Sequence, residues 1–233
     1  MKAFSRFVLK HGLLFDNSAN QYPTKLHGFC KDYLHMDKSD STYYGFVHEG
    51  HATLYIGEQG YILRPGMYFC VPGTVGAYIV NGSGIVVERI GYNGVFSLGG
   101  PIEPKGRLKY IDGCTDSLLV PPVKLGDPCL NALYFPTGID QTQHTHPTMR
   151  VGLIHQGAGI CKTPEENVDL VPGLPFIIHE DGLHSFQTHD NEMVVIAYHP
   201  DSDFGPQDEN HPMVNRTIVE GISAKDIEEI RTK

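Results

Sequence analysis

The chain has 233 residues, enough for one large β domain or two small ones, and 26 Gly and 16 Pro among many Val, Ile, Tyr and Phe favour short strands joined by tight turns. A formal charge of −9, with no run of five like charges, is repelled by nucleic-acid phosphates and excludes a nucleic-acid partner. No apolar run reaches the length of a membrane span, so no membrane partner is expected.

Taken in chain order, the opening "MKAFSRFVLKHGLLF" lacks the uninterrupted apolar core of a signal peptide. The five cysteines (Cys30, Cys70, Cys114, Cys129 and Cys161) are widely spaced with no C-x-x-C, as for reduced thiols, and the expected location is cytoplasmic. From Tyr44 the stretch "YGFVHEGHATLYIGEQGYILRPGMYFCVPG" reads as a strand ending at glycine, a second strand, a Pro-Gly turn and a third apolar strand. The segment 101–133 is rich in Gly, Pro and polar residues but carries "SLLVPP", and it reads as an ordered connector. From Val151, "VGLIHQGAGICKTPEENVDLVPGLPFIIHE" repeats the first pattern. Residues 199–216 then read as a long polar surface loop, and "SAKDIEEIRTK" as a short helix capped by Ser223 with Asp226 three positions on.

The two patterned stretches align without a gap at an offset of 107 (151 − 44). Gly45 falls on Gly152, His48 on His155, Gly50 on Gly157, Pro65–Gly66 on Pro172–Gly173, and Phe69 on Phe176. The chain is therefore read as two copies of one β unit, at roughly 30–95 and 135–200.

Within the second copy lies "GIDQTQHTHPTMRVGLIHQG", residues 138–157. Its Gly138, His144, His146 and Gly157 carry the spacing of the first motif of the cupins, G-x5-H-x-H-x3,4-E-x6-G, with Arg150 on the glutamate position. Gly173 and His184 match the second motif, G-x5-P-x-G-x2-H-x3-N, with His179, Asp181 and Thr188 in place of its Pro, Gly and Asn. The chain thus resembles a bicupin over most of residues 30–200. The resemblance implies an all-β fold of two tandem jelly-roll barrels with the short C-terminal helix added: residues 1–100 an N-terminal cupin, 101–133 a connector, and 134–233 a C-terminal cupin plus tail. It also implies a divalent metal on His144, His146 and His184. Subtracting 107 gives Asp37, Ser39, Tyr43 and Ala77, so the first copy is expected to hold no metal there. Cupins commonly pair, so a homodimer is compatible with the resemblance.

The chemistry agrees. Residues i and i+2 of a strand point to one face, so His144 and His146 project together, and His184 from another strand completes a facial set. Three neutral imidazoles leave positions open for water, substrate or dioxygen. If the strand stays regular, Arg150 lies on the face of the histidine pair; it cannot ligate a metal but suits a small anionic, carboxylate-bearing substrate. Otherwise it pairs with Asp140, Glu180 or Asp181. Gln141 and Gln143 should face away. His48 and His155, on the opposite face from Tyr43 and Arg150, are expected to be structural or surface residues. His179 is read as outward, and His189, His199 and His211 as surface residues. Tyr134 and Phe135 should pack in the core, while Thr188 could line the chamber. Three-histidine cupins resemble ferrous dioxygenases, which makes Fe(II) the leading cofactor, with Zn, Mn or Ni as substitutes. A non-redox isomerase, cyclase or lyase and a non-catalytic ligand-binding bicupin are the competing readings.

Overall fold

The computed structural model of the protein describes residues 2–202 and 216–230. Its strands are β1 (Phe4–Arg6), β2 (Gly12–Asn17), β3 (Thr24–Cys30), β4 (Leu34–Met36), β5 (Ser41–Ile56), β6 (Gln59–Leu63), β7 (Tyr68–Pro72), β8 (Ala77–Ile90), β9 (Ser97–Gly99), β10 (Leu108–Lys109), β11 (Thr115–Val120), β12 (Cys129–Phe135), β13 (Arg150–Gly157), β14 (Gly159–Lys162), β15 (Asn167–Leu170), β16 (Pro175–Ile178), β17 (Ser185–Gln187), β18 (Met193–His199), β19 (Ile218–Val219) and β20 (Ile222–Ser223). The N-terminal unit is a sheet ordered β2-β3-β8-β5-β7-β9, with β4 paired to β8 and β6 to β5. The C-terminal unit joins a seven-stranded sheet, β1-β16-β13-β18-β12-β11-β10, to a three-stranded one, β15-β14-β17. This is the all-β jelly-roll class expected.

The repeat is visible in the pairing. Tyr43 opposes Val71 and Gly45 opposes Phe69 in the first unit; Arg150 opposes Ile178 and Gly152 opposes Phe176 in the second. Each glycine is required because the phenylalanine ring across from it occupies the space of a Cβ. The turn glycines Gly66 and Gly173 share a left-handed backbone, with φ of 84° and 81°. The next strand breaks the offset: Tyr44 pairs with Val87 but Val151 pairs with Tyr198, a separation of 111 (198 − 87).

Strand alternation then divides the side chains between two environments. Tyr44, Phe46, Cys70 and Val87 meet Val151, Leu153, Ile177, Ile196 and Tyr198 in one core shared by the two sheets. The alternate residues, Tyr43, Val47, Phe69 and Val71 in one unit and Ile154, Phe176 and Ile178 in the other, fill the two separate interiors. At the edge of the seam the repeat-related His48 and His155 meet, with their Nδ1 atoms 3.3 Å apart, so one ring donates and the other accepts. His155 also stands edge-on to Phe46 at 4.9 Å. Both are structural residues.

Sheet membership departs from the boundaries expected at 100 and 134. Strand β1 crosses to the C-terminal unit, where Phe4 opposes Ile178 and stacks on Phe176 at 5.2 Å. Residues 108–133 supply β10, β11 and most of β12 to the same sheet. The β1 contacts join residues more than a hundred positions apart, which local patterning does not reveal. The tail helix also differs: Ala224–Asp226 and Glu228–Ile230 are two short 3-10 turns, and Ser223 precedes them in extended conformation. The expected loop 199–216, with His211, lies mostly outside the described residues. Among those described, no helix is long and apolar enough to cross a membrane.

Burial, then the neighbouring His48, pushes the His155 imidazole down to about 4. An unfolded chain takes up this proton near pH 6.5, so the buried neutral ring opposes folding increasingly as pH falls from there towards 4. We expect the stability of His155→Leu to fall less steeply with acid than that of the native chain. The difference between pH 7 and pH 5 is about 2 kcal/mol. Urea unfolding at the two pH values measures it, and parallel losses would contradict the assignment.

Candidate metal centre

His144 and His146 do not sit on a regular strand. The chain bends at Pro147–Thr148, and β13 begins only at Arg150. The histidine segment is held instead by isolated bridges from Asp140 to Gln187 and from His144 to His184. His144 and His184 exchange both backbone hydrogen bonds, at 2.9 and 3.0 Å, and the Asp181 amide donates to the His146 carbonyl at 2.8 Å. These bonds bring the ring centroids of His144, His146 and His184 to separations of 4.6–5.3 Å. One nitrogen from each lies within 4.8 Å of the others.

The carbonyls of Thr142 and Gly182 accept from the Nδ1–H groups of His144 and His184, at 2.7 and 2.9 Å. A carbonyl only accepts, so each Nδ1 carries the proton and each Nε2 keeps the lone pair that a metal requires. Burial, then the charge of Arg150, lowers the His146 pKa to about 3. Burial outweighs the Gly182 hydrogen bond and lowers His184 to about 4. All three rings lie in a chamber walled by Leu133, Phe135, Phe176, Ile178 and Phe186 and lined also by Tyr110, Gln141, Arg150 and His199. Among the described residues the donor set fits a divalent ion: His146 and His184 are held neutral, and His144 and His184 have a fixed tautomer.

Arg150 lines this chamber, although the reason is not an unbroken strand from His144. It is the first residue of β13, on the face that carries Ile154 into the interior. Its Nη1 donates to the Thr148 carbonyl at 3.0 Å, the Thr148 hydroxyl at 2.6 Å and the Met149 carbonyl at 3.2 Å. Among the described residues, the carboxylate that approaches it is Asp201, at 4.0 Å, and not any of the three expected. Asp140 pairs with Lys162, Glu180 accepts from Asn20, and Asp181 turns outward with a φ of 52°.

Several expectations change. Gln141 faces the chamber, because the irregular backbone before His144 breaks the alternation on which the opposite reading depended; Gln143 is exposed. Thr188 bonds to Pro136 and Ile139, bracing the histidine loop instead of lining the chamber. His179 bonds to Ser5 at 2.8 Å and packs against Phe15, which ties the N-terminal strand down. His189 is exposed, Tyr134 joins the shared core and Phe135 the interior. His199 is the residue that sequence reasoning missed. It faces the chamber, and burial, then Arg150 and His146, hold its pKa well below the ordinary value. The alternation Val195, Ala197, His199 contained the signal, but a fixed offset of 107 hid it.

With the β18 offset of 111, His199 corresponds to Glu88, while by the β13 offset of 107 Arg150 corresponds to Tyr43. In the first unit Glu88 is buried and accepts from Lys38, Ser41 and His27 at 2.9, 3.0 and 3.1 Å, while Met36, Phe29 and Ala77 fill the interior. Burial raises the Glu88 pKa, but the bonds from His27 and Lys38 outweigh it and bring the carboxyl to about 2. Asp37 and Ser39 are exposed.

A family model described as an AraC-like ligand binding domain matches residues 136–202. No curated protein matches the chain. Among solved structures the chain is similar to a putative glyoxylate-induced protein from Pseudomonas aeruginosa, at 14% identity over 88% of this chain and 83% of that one, with a TM-score of 0.60. It is also similar to a cupin 2 conserved barrel domain protein from Leptotrichia buccalis, at 12% identity over 84% and 86% of the two chains and a TM-score of 0.53. Salicylate 1,2-dioxygenase from Pseudoaminobacter salicylatoxidans, in a mutant form complexed with gentisate, gives 12% identity over 75% and 67%, with a TM-score of 0.54. At these identities the likeness establishes a cupin-like fold.

In Arg150→Met the cation that disfavours protonation of His146 is gone. We expect the His146 titration midpoint of the metal-free protein to rise by roughly one pH unit. Imidazole NMR shifts measure it, and an unmoved midpoint would remove Arg150 from the electrostatics of the site.

Proposed function

We propose that the chain is a bicupin whose C-terminal unit alone holds a divalent metal, on His144, His146 and His184, and that it is a mononuclear non-haem iron dioxygenase of a small carboxylate-bearing anion. The observation that carries this reading is the lining of the chamber: four imidazoles and one guanidinium face it, with no carboxylate among its described residues. Ferrous iron bound there would supply dioxygen activation and Lewis acidity, with zinc, manganese or nickel limited to the second. The remaining work falls to the chain. Thr142 and Gly182 orient two ligands. Arg150, fixed by Thr148 and Met149, sets a positive charge beside the histidines, which favours a carboxylate. His199, held neutral, can accept a proton within the chamber. The apolar walls exclude water and strengthen each of these interactions. The gentisate bound by the similar dioxygenase, itself a carboxylate, agrees with this substrate class.

A second reading, binding without catalysis, is favoured by the match of residues 136–202 to an AraC-like ligand binding domain. Oxygen uptake separates the two. We expect the ferrous protein to consume dioxygen when small aromatic and aliphatic carboxylates are added, and His146→Ala to lose at least about a hundredfold of that rate. Carboxylate binding without oxygen uptake would favour the second reading, and failure to bind iron would end the first.

A further inference from the structure

The chamber has about 20 Å³ of free volume, room for a single water, so any organic ligand enters only if a wall moves. Most of the walls cannot move cheaply. Leu133, Phe135, Phe176, Ile178, Val195 and Ala197 lie on β12, β16 and β18, each hydrogen-bonded to strands on both sides. Tyr110 is different. It lies in the turn between β10 and β11, and β10 is a two-residue, exposed strand at the edge of the sheet. The turn closes on itself through Tyr110 N to Cys114 O at 3.0 Å and Cys114 N to Ile111 O at 3.1 Å, with Asp112 in the left-handed region at φ 54°.

One side chain fastens this turn to the site. Asp112 Oδ2 accepts from the Thr142 amide at 2.8 Å, and Oδ1 from the Thr142 hydroxyl at 3.5 Å. Thr142 is the residue whose carbonyl takes the Nδ1 proton of His144. Beneath the turn, Cys114 is 2% exposed, with its sulfur 3.9 Å from Gln141 Nε2, and Gln141 Oε1 accepts from the Phe186 amide at 3.1 Å. We propose that Asp112 is a positioning residue that latches the Tyr110–Cys114 turn over the chamber and, through Thr142, sets the orientation of His144. Its release swings Tyr110 out and opens the way for a ligand. The latch stands on the geometry alone, whereas the positioning of His144 for a metal rests on the proposed metal-binding reading.

Cys114 reports the latch without any metal. Residue-resolved alkylation of the metal-free 233-residue chain with iodoacetamide gives a rate for each thiol, and the buried Cys70, Cys129 and Cys161 serve as internal references. In Asp112→Ala we expect Cys114 to react about tenfold faster with the references unchanged. Asp112→Asn keeps an oxygen that can accept from the Thr142 amide, and its rate should stay near that of the native chain. An unchanged Cys114 rate in Asp112→Ala, or equal acceleration of all four buried thiols, would overturn the latch. Zinc titration reads the positioning: affinity should fall about tenfold in Asp112→Ala and recover in Asp112→Asn. Equal affinity in all three proteins would overturn the positioning role. A native chain that binds no zinc would defeat the metal reading and the positioning role together, while the thiol rates still decide the latch.

Discussion

Two sheets packed face to face impose one constraint on every strand between them: successive side chains go alternately to the shared core and to a private interior. The shared core carries Tyr44, Phe46, Val151, Leu153 and Tyr198, and burying such side chains contributes roughly 1.5–3 kcal/mol each. That core fixes the register of β5 and β13. Once the register is set, the strand positions facing each interior are set too.

The same frame therefore produces two different interiors. In the N-terminal unit the residues facing inward at the critical level are Tyr43 and Glu88, with the carboxylate paired to Lys38 and hydrogen-bonded to His27, and the remaining space filled by Met36 and Phe29. In the C-terminal unit the matching residues are Arg150 and His199, and the loop before β13 adds His144 and His146. One interior is closed by an ion pair and packing. The other gathers nitrogen ligands beside a fixed positive charge, in a chamber of about 20 Å³. The crossing of β1 to the C-terminal sheet makes the second interior depend on the first residues of the chain, since Phe4 and the Ser5–His179 bond cover its edge.

Much of this was legible in local patterns. The glycines at 45 and 152, the Pro-Gly turns and the H-x-H spacing are short-range signals, and they led to the correct fold class and brought His144, His146 and His184 together. What was not legible depended on irregular backbone or long-range pairing. The bend at Pro147 broke the strand that parity counting assumed, so Arg150 reached the chamber for another reason and Gln141 turned inward. The change of offset from 107 to 111 concealed His199. Nothing near Asp112 in sequence points to Thr142, thirty residues away. The short tail segment forms 3-10 turns, as expected where a nucleus is costly and the helix too short to offset it.

The central claim is that only the C-terminal interior is built to hold a metal ion. The most direct test is the metal content of untagged native protein, compared with that of His184→Ala. The account predicts one equivalent of divalent metal per chain, lost in the variant while its fold is retained. A native protein without metal, or one whose metal survives in His184→Ala, would contradict it.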